Sequence, residues 1–232
     1  MSSTDRVPVL TLDGPSGSGK GTVGQALATQ LGWHFLDSGA LYRAVALLAH
    51  RQGCDTADEA GLVQIAQDLD IDFEISGDVP VRVVLRGEDV STAIRAEEIS
   101  ALASHVAVVP GVRRALVGKQ RALRRPPGLV ADGRDMGTVV FPDATLKVYL
   151  TASAETRAER RYKQLKHKGL DVNLARLAEE IRVRDARDAQ RDASPLKPAD
   201  DAQSVDTTCL TVAQVVQRIL GLLRDRQAAS GR

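Results

Sequence analysis

The feature that most constrains this chain is a short apolar segment that runs directly into a glycine-rich loop. Val7–Leu12 is nearly continuous in apolar residues, which is typical of a strand buried on both faces of a parallel sheet. The loop over 14–19 contains three glycines and is followed by Lys20 and by a helical pattern over Thr22–Leu31. This order predicts a loop whose backbone N–H groups wrap around a phosphate at a helix N-terminus.

Two side chains at the end of this loop can act on a bound phosphate. Lys20 supplies a mobile positive charge. The strict phosphate-loop pattern has Ser or Thr directly after the lysine, whereas here Gly21 intervenes and Thr22 follows. Phosphate binding is therefore indicated more strongly than ligation of Mg²⁺ by the Thr22 hydroxyl. A flexible glycine turn is the alternative, and the order of strand, loop, lysine and helix disfavours it.

A second motif overlaps the first. The residues from Gly19 to Gly24 satisfy the G-x-G-x-x-G pattern of dinucleotide-binding proteins, and Asp37 lies at about the distance of a ribose-binding acid. These glycines begin several residues after the strand ends and continue into the helix, whereas a dinucleotide fingerprint begins at the C-terminal turn of its strand. We therefore favour the phosphate loop over a dinucleotide-binding oxidoreductase.

The remaining chain mostly alternates strand and helix. Further strand patterns occur at 33–36, 128–131, 146–150 and 204–206, each separated by helical patterns. They predict an α/β fold of the P-loop NTPase type, with an open, mostly parallel sheet flanked by helices. Between helices near 40–51 and 94–109, short strands separated by turn residues predict a small antiparallel meander behind a helix around 60–69.

The meander indicates an inserted domain. We expect a core over residues 1–40 and 105–232, with a basic lid at about 157–169, and an insertion over 41–104.

Composition excludes several classes of function. The 232 residues carry 31 Lys plus Arg against 30 Asp plus Glu, and only 3% are aromatic, which disfavours nucleic-acid and membrane partners. Cys54 and Cys209 form neither a disulfide framework nor a zinc motif. No apolar run approaches the roughly 20 residues of a membrane span, and because the start at 1–6 is polar we expect no signal peptide there. We expect a cytoplasmic protein.

A second group of candidate residues follows the strand pattern at 129–131. Residues just past the C-terminal ends of parallel strands face the ligand crevice of such a sheet. Asp132 can hold Mg²⁺ directly or through water, and Arg134 can bind a phosphate in a bidentate manner. A plain Asp-Gly turn is the alternative, and the nearby phosphate-loop motif disfavours it.

The helix predicted over 174–191 has a core face that becomes charged. Leu174, Leu177, Ala178 and Ile181 define the core face by their spacing. At about 100° per residue the same face continues through Arg184, Asp188 and Arg191, whereas Arg187 points elsewhere. Charges on an inward face indicate a cleft or an ion-pair network, and a solvated helix end is the alternative.

A basic segment precedes that helix. It contains six cations and one acid, Glu159; the cations are Arg157, Arg160, Arg161, Lys163, Lys166 and Lys168. We interpret the segment as a lid that closes over phosphates and keeps water out. An ordinary basic surface, with at most weak RNA binding, is the alternative.

Three segments carry a family resemblance, and they are Gly14–Thr22, Asp37–Arg43 and Asp132–Pro142. Together they closely resemble the bacterial cytidylate kinases, and the resemblance extends from about Val7 to Arg191. It implies a P-loop fold with an inserted NMP-binding domain and a short basic lid. It also implies transfer of a phosphoryl group from ATP to CMP or dCMP, with Mg²⁺, in the cytoplasm.

The resemblance implies a role for each matching residue. ATP binding falls to Gly14, Pro15, Ser16, Gly17, Ser18, Gly19, Lys20, Gly21 and Thr22. CMP binding falls to Ser38, Arg43, Arg134 and Arg191 at the phosphate, to Ser104, Arg113 and Asp135 at cytosine, and to Arg184 and Asp188 at the ribose. Catalytic roles fall to Lys20, Arg134, Arg160 and Arg161, and the metal would lie near Thr22 and Asp132, which holds it directly or through water.

This set of residues suits phosphoryl transfer, which requires positioning and charge neutralisation rather than a catalytic His or Ser. A P-loop switch or nucleic-acid loader would show an Asn-Lys-x-Asp element or a large basic face, and the chain has neither. A P-loop kinase of another small acceptor, such as UMP, shikimate or another metabolite, is the alternative function. We expect a monomer whose partners are ATP and CMP or dCMP.

Overall fold

The computed structural model describes residues 7–76, 79–167, 172–189 and 196–230. In chain order the elements are β1 (Val9–Asp13), α1 (Lys20–Leu31), β2 (His34–Asp37), α2 (Ser38–Gln52), α3 (Glu59–Gln67), β3 (Ile71–Ser76), β4 (Val79–Leu85), β5 (Glu88–Asp89), a 3₁₀ turn (Ala93–Arg95), α4 (Glu97–Val106), α5 (Pro110–Ala122), β6 (Leu129–Asp132), a π-helical turn (Met136–Val140), β7 (Leu146–Thr151), α6 (Ala154–His167), α7 (Leu174–Ala189), β8 (Gln203–Asp206) and α8 (Val212–Ser230).

Five strands form a mostly parallel sheet in the order β2-β6-β1-β7-β8, with helices flanking it. All five residues of β1 are buried, as its nearly continuous apolar sequence predicted. The α/β fold predicted from the alternation of strands and helices is confirmed. Within the described ranges, no helix combines the length and the apolarity that crossing a membrane requires.

The described chain divides into two compact units. The first comprises residues 7–8 and 28–131, and the second comprises residues 9–27 and the described residues from 132 onward. The domains predicted from the sequence, a core over 1–40 and 105–232 and an insertion over 41–104, rest on the change in strand pattern and stay a prediction.

The first unit contains the antiparallel meander that the turn residues predicted. Its sheet has the order β3-β4-β5, with Ile71 opposite Leu85 and Leu85 opposite Glu88, and α3 precedes it. The helix predicted near 94–109 is interrupted. Ala96 is extended, with ψ 146°, between the 3₁₀ turn and α4, and α5 starts anew at Pro110. A proline disfavours helical geometry in the residue before it, and Val109 accordingly has ψ 114°.

The second unit is built on β1, β7 and β8, which pair in parallel. Leu10 lies opposite Leu146, and Leu150 lies opposite Val205. On α7, Leu177 and Ile181 are buried, as the helical spacing predicted, but Leu174 is 41% exposed. Leu174 is the first residue of its helix.

Candidate active site

The loop between β1 and α1 has the backbone of an anion-binding loop. The strand ends at Asp13 and the helix begins at Lys20, in the order that the sequence predicted. Gly14, Gly17 and Gly19 have φ angles of 144°, 80° and 94°, a region that favours glycine. A Cβ atom on Gly14 would clash with the Leu150 carbonyl oxygen, so no side chain fits there. The loop therefore presents bare backbone at a helix N-terminus, where N–H groups can bind phosphate oxygens.

Lys20 lies over this loop. Its Nζ donates a hydrogen bond of 2.8 Å to the Pro15 carbonyl oxygen. The Ser18 hydroxyl is buried in the same loop, and its oxygen finds no hydrogen-bond partner in the described part of the chain. A buried polar atom of this kind is costly unless a further group satisfies it, which supports ligand binding at the loop.

Two arginines of α6 hold the carbonyl side of the loop. Arg157 is buried, and its guanidinium donates to the carbonyl oxygens of Ala152 at 3.1 Å and Ser16 at 3.2 Å. Arg160 donates to the Ser18 carbonyl oxygen at 3.3 Å. The sequence assigns Arg157 to the lid. In the structure its side chain packs against the phosphate loop, because the face of α6 that carries Arg157 is turned towards the loop.

The other predicted lid cations lie apart from these contacts. Arg161, Lys163 and Lys166 are exposed, and residues 168–169 fall outside the described residues. The lid therefore stays a prediction.

Thr207, just after β8, is a site residue that the sequence did not reveal. Its hydroxyl lies 3.0 Å from the carbonyl oxygens of both Ser18 and Thr151, and it accepts a hydrogen bond of 3.0 Å from Arg160. The side chain is buried. Thr207 thus joins α6, the end of β7 and the phosphate loop, and its position next to a strand end is the signal that points to it.

Asp13 is a second residue that the sequence left without a role. Its two carboxylate oxygens accept hydrogen bonds of 2.8 Å from the N–H groups of Met136 and Gly137. Only 5% of the residue is exposed. Burial raises the pKa of the Asp13 carboxyl from its ordinary 3.8 to about 6, against the opposing effect of the two N–H groups and the Lys20 charge; the Asp135 charge raises it further.

The residues that follow β6 lie close to the start of α1. Asp132 is 9% exposed, and a Cβ atom placed on Gly21 would lie 3.4 Å from its Oδ2. The carboxylate therefore faces the helical turn that carries Thr22. Arg134 and Asp135 are half-buried in the same segment. These residues and the phosphate loop belong to the second unit.

In the first unit, Ser38 and Arg43 lie at the N-terminal end of α2. Ser38 is its first residue and is buried. Asp37 caps the helix by accepting from the Ala40 N–H at 3.0 Å, and it pairs with Arg43 at 2.9 Å. Asp37, which a dinucleotide-binding protein would use to bind a ribose, thus serves here as a helix cap and an ion-pair partner. A helix N-terminus with an arginine one turn along can bind an anion.

Ser104 and Arg113 lie on the next helices of the first unit. The Ser104 side chain is exposed on α4, and its hydroxyl donates to the Ser100 carbonyl oxygen at 3.2 Å. Arg113 on α5 lies 6.0 Å above the Tyr42 ring and donates to the Ala107 carbonyl oxygen at 3.4 Å. The aromatic face restricts where this guanidinium can point.

The remaining predicted site residues belong to the charged helix face. Arg184 and Asp188 are part of α7, but their side chains fall outside what the structure describes. Arg191 lies outside the described residues altogether. All three stay predictions.

Comparison with known proteins gives a consistent result. A sequence model of the family described as cytidylate kinase matches residues 10–225. The cytidylate kinase of Stutzerimonas stutzeri (strain A1501) is 58% identical over 224 residues, covering 96% of this chain and 98% of the relative. That of Azotobacter vinelandii is 56% identical over 225 residues, covering 97% and 98%. That of Aeromonas salmonicida is 56% identical over 213 residues, covering 92% of each. Since both the family match and these relatives extend over most of its length, the chain belongs to the cytidylate kinase family.

Proposed function

We propose that this enzyme transfers the γ-phosphoryl group of ATP to CMP or dCMP, which gives ADP and CDP or dCDP. The observation that carries the proposal is the phosphate loop closed by Lys20, in a chain more than half identical to cytidylate kinases. The loop supplies the anion site that a phosphoryl donor needs, and the relatives name the acceptor.

In this proposal the loop from Gly14 to Thr22 binds the ATP phosphates. Its N–H groups hold the phosphate oxygens, and Lys20 leaves the Pro15 carbonyl oxygen to pair with them. This exchange replaces a neutral acceptor by an anionic one, which makes a stronger hydrogen bond. The Lys20 charge then stabilises the negative charge that develops as the phosphoryl group moves.

We propose that Mg²⁺ accompanies ATP and is held near Asp132 and Thr22. A carboxylate and a hydroxyl are oxygen donors, which Mg²⁺ prefers, and Asp132 faces the turn that carries Thr22. In the described part of the chain no three His, Cys, Asp or Glu side chains cluster closely enough to hold a metal alone. Phosphate oxygens and water would therefore complete the shell. When bound, Mg²⁺ supplies positive charge beside the transferring phosphoryl group.

The acceptor nucleotide is recognised by its phosphate and its base. Ser38 and Arg43 bind the CMP phosphate, together with Arg134 and Arg191. Asp135 accepts a hydrogen bond from the cytosine amino group, and Arg113 donates to the ring, helped by Ser104. Arg184 and Asp188 bind the ribose. The attacking phosphate oxygen is already an anion, so the reaction needs no catalytic base.

Arg160 and Arg161 complete the proposed catalytic group. Arg161 is exposed on α6, next to Arg160 in the sequence. Arg160 is bonded to Thr207 and to the loop carbonyls, so it must exchange these contacts to reach a phosphate. Closure of the basic segment would exclude water, which otherwise competes with CMP as an acceptor.

The deciding experiment measures ATP consumption by the purified protein with a panel of acceptors. ADP should form rapidly with CMP and dCMP in the presence of Mg²⁺, and much more slowly with UMP, with shikimate or with no acceptor. Chelation of the metal should stop the reaction, and added Mg²⁺ should restore it. Consumption that does not depend on CMP, or that is faster with another acceptor, would refute the proposed function.

A further inference from the structure

Asp13 is the last residue of β1 and lies directly before the phosphate loop. Its side chain accepts hydrogen bonds from a different segment. Both carboxylate oxygens bind backbone N–H groups at the start of the π-helical turn, those of Met136 and Gly137, at 2.8 Å each. These partners are more than 120 residues away in sequence. The side chain thus links two segments that both belong to the proposed site.

A buried carboxylate is an expensive way to accept two hydrogen bonds. A charge that is removed from water destabilises the folded protein unless its partners compensate for the lost hydration. Only a carboxylate of this size, however, offers two equivalent acceptors to two consecutive N–H groups. An amide would offer one acceptor and direct its own N–H₂ at the other donor. The geometry therefore uses the property that distinguishes Asp from Asn.

The segment Gly133–Gly137, which directly follows β6, is attached to β1 at both of its ends. At one end the Gly133 N–H donates to the Leu12 carbonyl oxygen at 3.0 Å. At the other end Asp13 holds Met136 and Gly137. A Cβ atom on Gly137 would lie 3.0 Å from Thr11 Oγ1, so the segment lies close against the strand. Between the two attachments lie the two residues proposed to bind the acceptor, Arg134 and Asp135.

We infer that Asp13 is a positioning residue, which fixes Arg134 and Asp135 relative to the phosphate loop and so sets the selectivity for CMP over UMP. This inference rests on the proposed function. Asp13 itself touches no substrate. Its contribution is to keep the base-reading carboxylate and the phosphate-binding guanidinium at fixed positions beside the strand that carries the phosphate loop.

The test compares the wild type with Asp13→Asn in kcat and KM for CMP, UMP and ATP. We expect kcat/KM for CMP to fall about tenfold or more, as for loss of one hydrogen bond to a charged group, with a smaller fall for UMP. The ratio between the acceptors should narrow about tenfold, while KM for ATP changes less than about threefold. Asp225→Asn is the control, since it removes an exposed aspartate of α8 and should leave all these values unchanged.

A double variant separates positioning from a general structural effect. If Asp13 acts through Asp135, then adding Asp13→Asn to Asp135→Ala should change the ratio of kcat/KM for CMP to that for UMP little further. The carboxylate that recognises the base is already absent from the Asp135→Ala variant. Full additivity of the two effects on that ratio would refute the inference. If the wild type phosphorylates CMP but Asp13→Asn leaves the ratio of kcat/KM for CMP to that for UMP unchanged, the inference is refuted while the proposed function stands. A wild type that does not use CMP would refute the proposed function as well.

A measurement on the wild type covers the case in which Asp13→Asn does not fold. The amide hydrogens of Met136 and Gly137 should exchange with solvent about tenfold or more slowly than in an unfolded chain, since both are bonded to a buried carboxylate. Slow exchange supports the attachment. Rapid exchange at both amides would show that Asp13 does not hold the segment, and would overturn the inference.

Discussion

Replacing Asp13 by Asn should stabilise the protein at neutral pH while it impairs the enzyme. Burial raises the pKa of this carboxyl from 3.8 to about 6. The folded state therefore binds the proton more tightly than the unfolded state, and at neutral pH it must hold a charge that it disfavours. A rise of this size corresponds to a cost of about 3 kcal/mol. Asn has one acceptor fewer than Asp, and this loss destabilises the variant by about 1 kcal/mol or more. The free energy of unfolding should therefore rise by a net amount of about 1 to 2 kcal/mol.

The pH dependence gives the sign of this effect. Between pH 4 and 6 the folded state carries more of the Asp13 proton than the unfolded state, so this group makes the wild type less stable as the pH rises through that window. The amide of the Asp13→Asn variant cannot titrate. The stability advantage of the variant should therefore vanish near pH 4, where the cost of the charge is smaller than that of the lost acceptor, and reach its full value above about pH 6. The charges of Lys20 and Asp135, which also act on this carboxyl, remain in both proteins.

Urea unfolding followed by circular dichroism, at several pH values between 4.5 and 8, measures this difference directly. At pH 7.5 the melting temperature should also rise, by about 2 to 8 °C for a chain of this size. A variant that is less stable than the wild type at pH 7.5 would refute the reasoning. So would a stability difference that does not change between pH 4.5 and 7.5, because it would show that the charge of Asp13 is not the cause.

Three further changes test the site. Lys20→Met should slow the chemical step about a hundredfold or more with the circular dichroism spectrum unchanged, and near-normal kcat would contradict the role of the loop. Arg184→Ala should raise KM for CMP far more than Arg187→Ala, and equal effects would show that the phase of the charged helix face is wrong. Thr207→Val removes the hydroxyl that accepts from the Arg160 guanidinium and that lies within donating distance of the Ser18 and Thr151 carbonyl oxygens. It should therefore lower stability by about 1 to 3 kcal/mol and raise KM for ATP, and unaltered unfolding would exclude a bracing role.

The parts of this site that could be predicted from the sequence are those encoded locally. The phosphate loop was evident because glycine is the residue that tolerates positive φ, and Gly14, Gly17 and Gly19 all adopt it. The meander followed from short strand patterns bounded by turn residues. In both cases a few consecutive residues determine the conformation, so no knowledge of distant contacts is required.

The parts that could not be predicted depend on contacts between distant residues. Asp13 stands next to a glycine-rich loop, where an aspartate is typical of a turn. Its bond to the Met136 N–H could not be predicted, because only the fold brings these two distant residues together. Arg157 is one of several closely spaced cations, and only the packing of α6 shows that its side chain is buried while Arg161 is exposed. Helical periodicity also missed the break near Ala96, since one extended residue leaves the apolar spacing on either side unchanged.

The destabilising features of the second unit gather where β1 meets the loop. Three glycines with positive φ lose more freedom on folding than other residues would, the Ser18 oxygen is buried without a partner in the described part of the chain, and Asp13 carries a buried charge. Each of these costs stability, and each either leaves bare backbone and polar groups ready for phosphate or fixes a segment beside it. A site that binds through groups already in place avoids reorganising them during the reaction. Stability and selectivity should therefore change in opposite directions when Asp13 is neutralised, and a variant that gained both would show that the charge has no function.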